Sequence, residues 1–495
     1  VKEFIKINPK DNVAIALTDL PAGFRLELGS LQIILAEAAP RGHKIALQPI
    51  PAGDPVIKYG MPIGRATAAI EPGRHVHVHN VKTGLGATEH YTYAPRLEPP
   101  LPSLPERAIN VYRRKNGAIG IRNELWIVPT VGCVNGIGDM LADEFRRQVD
   151  MSAIDGINVL KHPYGCSQLG DDHLNTRTIL QNAVKHPNAG GVLVLGLGCE
   201  NNQIDEFMAT LGEYDDSRVR FLAAQQVTDE IEAGLKALRE LYEAMRQDRR
   251  QPAGMGALRV GLKCGGSDGL SGITANPLLG EFSDYLIAYG GTTVLTEVPE
   301  MFGAETLLME RCAGPAVFEK TVKLINGFKD YFTRHSQEIY ENPSPGNKRG
   351  GITTLEDKSL GCTQKSGRAA VTGVLDYGDT IRTPGLNLLN APGNDLVATS
   401  ALAAAGCHLV LFSTGRGTPF GGFVPTVKIA SNSPLYRQKP HWIDFNAGPL
   451  VEDQDMPAML EALINTVVRV AGGELTNNEK NNTREIAIFK GGVTL

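Results

Sequence analysis

Three cysteines share a local pattern. Gly132-Cys133, Gly165-Cys166 and Gly198-Cys199 each close an apolar run, and successive thiols lie 33 residues apart, 133 to 166 and 166 to 199. Three thiols at such a spacing suit a thiophilic metal ion, or an iron–sulfur cluster with one iron left open to substrate. The plainer alternative is three small buried hydrophobes. The glycine before each cysteine lets the chain turn sharply as it leaves the run.

A second set lies in Arg74-His75-Val76-His77-Val78-His79-Asn80. Read as a strand, it puts His75, His77 and His79 on one face, with Val76 and Val78 packed beneath. Clustered imidazoles suit metal ligation, proton transfer or anion binding; a solvated histidine strip is the bland alternative. A third set is a series of glycine-rich polar loops. CGGSDGLSG (264–272) offers the backbone of Gly265 and Gly266 beside Ser267 and Asp268. NPSPGNKRGG (342–351), EDKSLGCTQK (356–365) and STGRGTP (413–419) add Lys348, Lys358, Lys365 and Arg416. Free N–H groups and cations together favour a carboxylate or another oxygen-rich ligand, although each loop alone reads as an ordinary turn. Glu297 and Glu300 in TEVPEMFG, and Asp171 and Asp172 after Cys166, are candidates for acid–base groups or metal oxygens, against the alternative of solvated carboxylates.

These residues need elements to position them. Residues 1–93 alternate short β-type runs (NVAIAL, LQIIL, HKIAL, HVHVHN) with Pro-Ala-Gly and Pro-Gly turns, which describes a small β domain. Residues 94–108 are proline-rich and read as an extended tether. From 109 to 250, LWIVPTV, INVLKH, GVLVLGL and VRFLAA alternate with helical periods, the clearest helix opening at Thr228. That alternation predicts βαβ units and a mainly parallel sheet. RRQPAGMG (249–256) reads as a connector, and 257–495 as a second α/β domain with strands at LRVGLKCGG, TTVLTEVPE, GLNLLNAP and HLVLFSTG. The expected fold is α/β: one small β domain and two Rossmann-like units. If each βαβ unit advances by one strand, the three Gly-Cys pairs share the carboxyl edge of one sheet, where open parallel sheets bind ligands.

Composition narrows the functional classes. A chain of 495 residues with 55 glycines and 30 prolines turns often and is built from several domains. A net charge of −5 argues against a dedicated nucleic-acid binder, and no apolar run is long enough for a membrane span. The N-terminal VKEFIKINPKDN has no signal-peptide core, and seven scattered cysteines read as reduced thiols, so a cytoplasmic protein is expected. GLGCEN lacks the third glycine of a dinucleotide fingerprint, and no GxxxxGK[ST] occurs, which weakens a nucleotide-dependent oxidoreductase.

LWIVPTVGCVNGIG, YGCSQLGDDHLNTRT, VLGLGCENN, CGGSDGLSGITANP, NPSPGNKRGGITTLEDKSLGC and STGRGTPFGGFVPTVKIA resemble the altronate/galactarate dehydratase family, with sulfolactate lyase a more distant relation. The likeness runs from IKINPKDNVAIAL to AIFKGGVTL, and the N-terminal domain resembles the family's SAF (β-clip) domain. The resemblance implies a hydro-lyase converting D-altronate to 2-dehydro-3-deoxy-D-gluconate in hexuronate breakdown, with galactarate as the nearest alternative substrate. It implies iron as cofactor (Fe2+, with Mn2+ or an iron–sulfur cluster as alternatives) and a small sugar-acid substrate. No nucleic-acid or membrane partner is expected from the charge and the apolar runs, and a homo-oligomer is expected. On that footing Cys133, Cys166 and Cys199 are expected to hold the metal. His75 or His77, with Lys365 and Glu297, is expected to carry acid–base chemistry. Gly265, Gly266, Ser267, Asp268, Lys348 and Arg416 are expected to hold the carboxylate and hydroxyls. A sugar-acid sensor without turnover is the competing class.

Overall fold

A computed structural model describes residues 2–86, 88–99 and 104–495, so part of the proline-rich tether lies outside the described residues. The N-terminal β domain is built from short antiparallel strands. Phe4–Ile5, Val13–Ala16, Lys44–Ala46 and His75–Val76 form one sheet, and Pro55–Lys58, Met61–Ala66 and Val81–Lys82 another. Val13, Ala46, Val56, Ile63 and Val76 meet between them as the domain's core.

The expected long histidine strand stops early. After Val76 the backbone turns: the N–H groups of Asn80 and Val81 both donate to the carbonyl of His77 at 3.0 Å. Val78 is therefore exposed instead of packed beneath the histidines.

The middle domain carries a four-stranded parallel sheet in the spatial order Gly156–Val159, Glu124–Pro129, Ala189–Gly196, Val219–Ala223. Helices Asn135–Gln148 and Glu230–Met245 cover one face through Leu141, Phe145, Leu238 and Met245, and helix Gly170–Val184 covers the other through Ile179 and Leu180. The helix expected at Thr228 begins two residues later. Asp229 is its N-cap, its carboxylate accepting from the N–H groups of Ile231 and Glu232.

Residues 249–256, read above as a connector, are partly a strand: Arg250–Gly254 pairs antiparallel with Ala108–Arg113, placing Pro252 opposite Asn110. It is the edge strand of its three-stranded sheet, where a residue without an N–H is tolerated.

The C-terminal domain is centred on a seven-stranded, wholly parallel sheet. Its spatial order is Val371–Leu375, Gly385–Leu389, Thr292–Leu295, Arg259–Cys264, Leu409–Thr414, Thr426–Ala430, Phe445–Asn446. The strand Arg259–Cys264 is central and buried from Val260 to Cys264, as expected of a parallel strand covered on both faces. Helices Ala275–Ala288 and Met456–Ala471 pack on one side through Leu278, Phe282, Leu463 and Val467. The helix Met456–Ala471 has proline in its first turn and glycine at its end, the usual asymmetry; Asp455 caps its start and Gly472 ends it.

Buried charges join the domains. Arg122, fully buried at the entry to the middle sheet, makes a two-point pair with Glu479, and Arg484 bridges Glu124 and Glu479. On the other side, Lys44 and Lys58 of the β domain both reach Asp357 of the C-terminal domain, at 2.8 and 2.9 Å. Among the described residues no helix is long and apolar enough to cross a membrane.

Candidate active site

The carboxyl edge of the C-terminal sheet gathers buried ionisable groups. Strand Arg259–Cys264 ends in Lys263 and Cys264, and the strand Thr292–Leu295 leads to Glu297 and Glu300. Helix Leu355–Cys362 and the turn Thr363–Ser366 supply Lys358, Cys362 and Lys365. Lys365 Nζ donates to Cys264 Sγ at 2.9 Å and to Glu297 Oε2 at 3.0 Å. Lys263 pairs with the other oxygen of Glu297 and with Asp395, and Lys358 pairs with Glu300 at 2.8 Å. Three ammonium groups therefore face three carboxylates, all buried except the partly exposed Asp395. Isolated charges would not survive burial there, whereas matched ones do.

The electrostatics follow from that packing. Burial alone would lower the pKa of Lys365, but Cys264 and Glu297 outweigh it and hold the ammonium well above its ordinary value. Burial likewise opposes charge on Lys358, yet Glu300 raises it to about 12. Glu300 is held below the usual carboxylate range, because Lys358, Lys263 and Lys365 overcome its burial. Glu297 is pushed upward by burial and by the neighbouring Glu300, against the pull of Lys263 and Lys365. Its backbone sits at φ 68°, in the left-handed region where a non-glycine residue costs about 1–3 kcal/mol. The two lysines and the Cys264 N–H, which donates to Glu297 Oε2 at 3.1 Å, hold it there.

The glycine-rich loop 264–272 lies at the same edge. A Cβ on Gly265 would stand 2.5 Å from Asp395 Oδ1, so only glycine lets the strand end pass the Lys263 partner. The carbonyl of Gly266, at φ 61°, accepts from the N–H groups of Gly415 and Arg416, which brings the exposed Arg416 beside the loop. Asp268 is a structural knot: its carboxylate accepts from Ser271, Ser431 and Asn432. Ser267, by contrast, is buried and its hydroxyl has no partner among the described residues. It lines a small cleft with Lys58, Tyr59, Asp357, Lys358 and Cys362, between the β domain and the C-terminal domain. Lys348 is half-buried on the short helix Pro345–Arg349, whose Asn347 donates to the carbonyl of Ser267.

The β domain brings its histidines to the same loops. His75 Nε2 lies 2.9 Å from Nδ1 of His43, a residue the sequence reading passed over, and the other ring nitrogen of His43 lies 3.2 Å from the Arg349 carbonyl. His77 Nδ1 is 3.2 Å from Thr353 Oγ1. The rings of His43, His75, His77 and the exposed His79 stand with neighbouring centroids 4.8–5.5 Å apart. Burial first, then neighbouring imidazoles and Lys44, lower His75 to about 4 and His77 to about 3, so both are neutral at neutral pH. Helix Leu355–Cys362 connects the two regions: Asp357 is clamped by Lys44 and Lys58, while Lys358 and Cys362 point to Glu300.

Cys133, Cys166 and Cys199 lie elsewhere, after the strands of the middle sheet. All three are exposed free thiols, in the spatial order Cys166, Cys133, Cys199 set by the strand order. Their loops are laced together: Gly132 N–H donates to the Tyr164 carbonyl, Asn202 N–H to the Gly165 carbonyl, and Ser167 N–H to Asn201 Oδ1. Gly165 and Gly198 occupy positive φ, and a Cβ on Gly132 would stand 2.8 Å from the His162 carbonyl oxygen, so each glycine of the series is required. Among the described residues no hydrogen bond or ion pair joins this edge directly to the histidines or to Lys365. Asp172 receives the N–H groups of Gly491 and Gly492, a structural role, and a roomier cleft at the other end of this sheet is lined by Arg114 and Arg218, both spent on Asp248.

Three family descriptions match the chain in succession: the altronate/galactarate dehydratase SAF domain over 2–84, the D-galactarate dehydratase/altronate hydrolase second domain over 111–246, and the D-galactarate/altronate dehydratase C-terminal domain over 255–494. The chain is similar to the altronate dehydratases of Escherichia coli, 60% identical, and Bacillus subtilis, 59% identical, over the whole length of both partners in each case. It is 33% identical to the galactarate dehydratase (L-threo-forming) of Escherichia coli, over 91% of this chain and 89% of that one. From its SAF domain to its seven-stranded sheet, the chain belongs to the altronate/galactarate dehydratase family.

Proposed function

We propose that this protein is a hydro-lyase that removes water from D-altronate, giving 2-dehydro-3-deoxy-D-gluconate. The observation that carries this reading is the full-length identity of 60% to an altronate dehydratase, against 33% to a galactarate dehydratase. The reaction breaks the C2–H and C3–O bonds, and the resulting enol becomes the 2-keto acid. The C2 proton is only weakly acidic, so its removal needs cations or donors that stabilise the enediolate, and the C3 hydroxyl needs a proton to leave as water.

The buried edge is suited to that task. Lys365 and Lys358 hold positive charge beside the cleft, the Ser267 hydroxyl is free to meet a substrate oxygen, and Arg416 stands at the loop rim. His77 and His75 are neutral and so able to accept a proton, and an arriving carboxylate raises the basicity of any imidazole it approaches. Glu297, pushed upward in pKa between two lysines, is fitted to hold a proton in transit.

The iron that the family resemblance implies suits the chemistry of the exposed thiols, three free, soft donors on one sheet edge. Among the described residues their sulfurs do not converge to within 4.8 Å of one another, a spread that suits a cluster better than a single ion. Cys133, Cys166 and Cys199 would hold it, and it would supply Lewis-acid character toward a substrate oxygen. The test is a panel of altronate, galactarate and glucarate, incubated anaerobically with Fe2+ and followed for 2-keto acid. Altronate is expected to give the highest kcat/KM. Preference for galactarate, or binding of altronate without turnover, would refute the assignment.

A further inference from the structure

Cys264 Sγ, Cys362 Sγ and Glu300 Oε2 form a nearly equilateral triangle deep in the C-terminal domain. The sulfurs are 3.2 Å apart, and the oxygen lies 3.2 Å from Cys362 and 3.5 Å from Cys264. All three side chains are buried and their ligating atoms lie within 4.8 Å of one another. We propose that this triangle is a binding site for one thiophilic divalent cation of the Zn2+ or Fe2+ class, separate from the three exposed thiols of the middle domain.

The geometry is one face of a tetrahedron. With metal–sulfur bonds of about 2.3 Å and a metal–oxygen bond of about 2.1 Å, tetrahedral ligands stand about 3.8 Å apart between sulfurs and about 3.6 Å from sulfur to oxygen. Closing on a cation asks the two sulfurs to part by about half an ångström and leaves the oxygen nearly in place.

The surroundings fit the ligands. Lys358 occupies Glu300 Oε1, turning Oε2 toward the sulfurs, and Lys365 donates to Cys264 Sγ at 2.9 Å, the kind of outer donor that orients and steadies a ligand thiolate. Charge balance is preserved as well: a divalent cation replaces two thiol protons, so the three lysines still face three carboxylates. Cys362 also lines the cleft shared with Ser267 and Lys358, so the fourth coordination position has an approach from the side of the substrate. Three protein ligands with one open position is the pattern of a site that does chemistry rather than one that only holds a fold.

Cobalt(II) tests this without reference to turnover, because thiolate ligation gives an intense charge-transfer absorption in the near ultraviolet. The full-length chain is prepared reduced and anaerobic, free of metal, as wild type and as C133S/C166S/C199S. The triple variant is expected to bind one Co2+ per chain with the thiolate absorption intact. Adding C264S or C362S is expected to abolish that absorption, and adding E300Q, which keeps both thiols, to weaken Co2+ binding by at least about ten-fold. Circular dichroism and melting verify that each variant is folded; E300Q serves if a cysteine variant is not. The proposal is overturned if the folded triple variant shows no thiolate absorption with Co2+, or if the absorption survives loss of Cys264 or Cys362. It is equally overturned if mass mapping finds these two sulfurs joined as a disulfide in the reduced protein.

Discussion

Asp357 between Lys44 and Lys58 allows a stability argument in which three neighbouring substitutions have different outcomes. All three side chains are buried, so one carboxylate serves two ammonium groups. Burial drives Lys44 down from 10.5 to about 8, with Lys58 adding to the fall and Asp357 opposing it, while Lys58 rises because Asp357 outweighs its burial. A displacement of that size on Lys44 makes its charged form unfavourable by about 3 kcal/mol. Replacing Lys44 by methionine removes that cost along with the bonds to Asp357 and to the Gly351 carbonyl, and leaves the Asp357–Lys58 pair whole. The net change for K44M is therefore expected within about 2 kcal/mol of wild type. D357N strands two buried ammonium groups and should cost about 3–5 kcal/mol. Scanning calorimetry of the full chain reads the contrast: K44M should melt within a few degrees of wild type, and D357N about 5–15 °C lower. The pH dependence has a definite sign. Between about pH 8 and 10.5 the unfolded chain keeps the Lys44 proton that the folded chain has released, so folding gains from this group as pH rises. The melting point of wild type relative to K44M should accordingly climb above pH 8. Equal losses in K44M and D357N, or a wild-type advantage that shrinks above pH 8, would refute this account of the clamp.

Three further outcomes are expected. Because His75 and His77 titrate near 4 and 3, they remain neutral as pH falls, and a kcat/KM profile should show no limb near pH 6.5 that vanishes in H75F or H77F. G165A should unfold or misplace the thiol edge, since its Cβ would meet the Thr130 carbonyl oxygen at 2.0 Å; iron content per folded chain should drop with it, and full loading would count against the thiols as the iron site. K365M removes the ammonium between Cys264 and Glu297, and is expected to lower kcat by about 100-fold or more with little change in KM; a change confined to KM would show that Lys365 only binds.

Much of the architecture is legible because parallel strands advertise themselves as continuous apolar runs. Glu124–Pro129, Ala189–Gly196 and Leu409–Thr414 lie where LWIVPTV, GVLVLGL and HLVLFSTG suggest. The Gly-Cys pairs follow their strands for the same reason. What the sequence hides is adjacency across long separations. Cys264, Glu300 and Cys362 come from a strand end, a tight turn and a helix end, spaced 36 and 62 residues apart, so no local pattern announces them. A hint was available: Lys263 inside the apolar run LRVGLKC is a charge where a central strand ought to be apolar, which calls for a buried partner. His43 escapes for a related reason, since it joins the other histidines through strand pairing of Lys44–Ala46 with His75–Val76. The length of the histidine strand was misjudged because alternation in HVHVHN says nothing about the Asn80 turn that ends it.

The eight-residue helix Leu355–Cys362 has a consequence for how this family's chains can vary in length. Its Asp357 is fixed by the β domain and its Cys362 by Glu300, so both ends of a short rod are indexed to different partners. One inserted or deleted residue between them would rotate one end about 100° against the other. No local relaxation restores both contacts, because the rod is buried along its whole length. The helical phase of this segment is locked, and length changes should be confined to the exposed loops outside it.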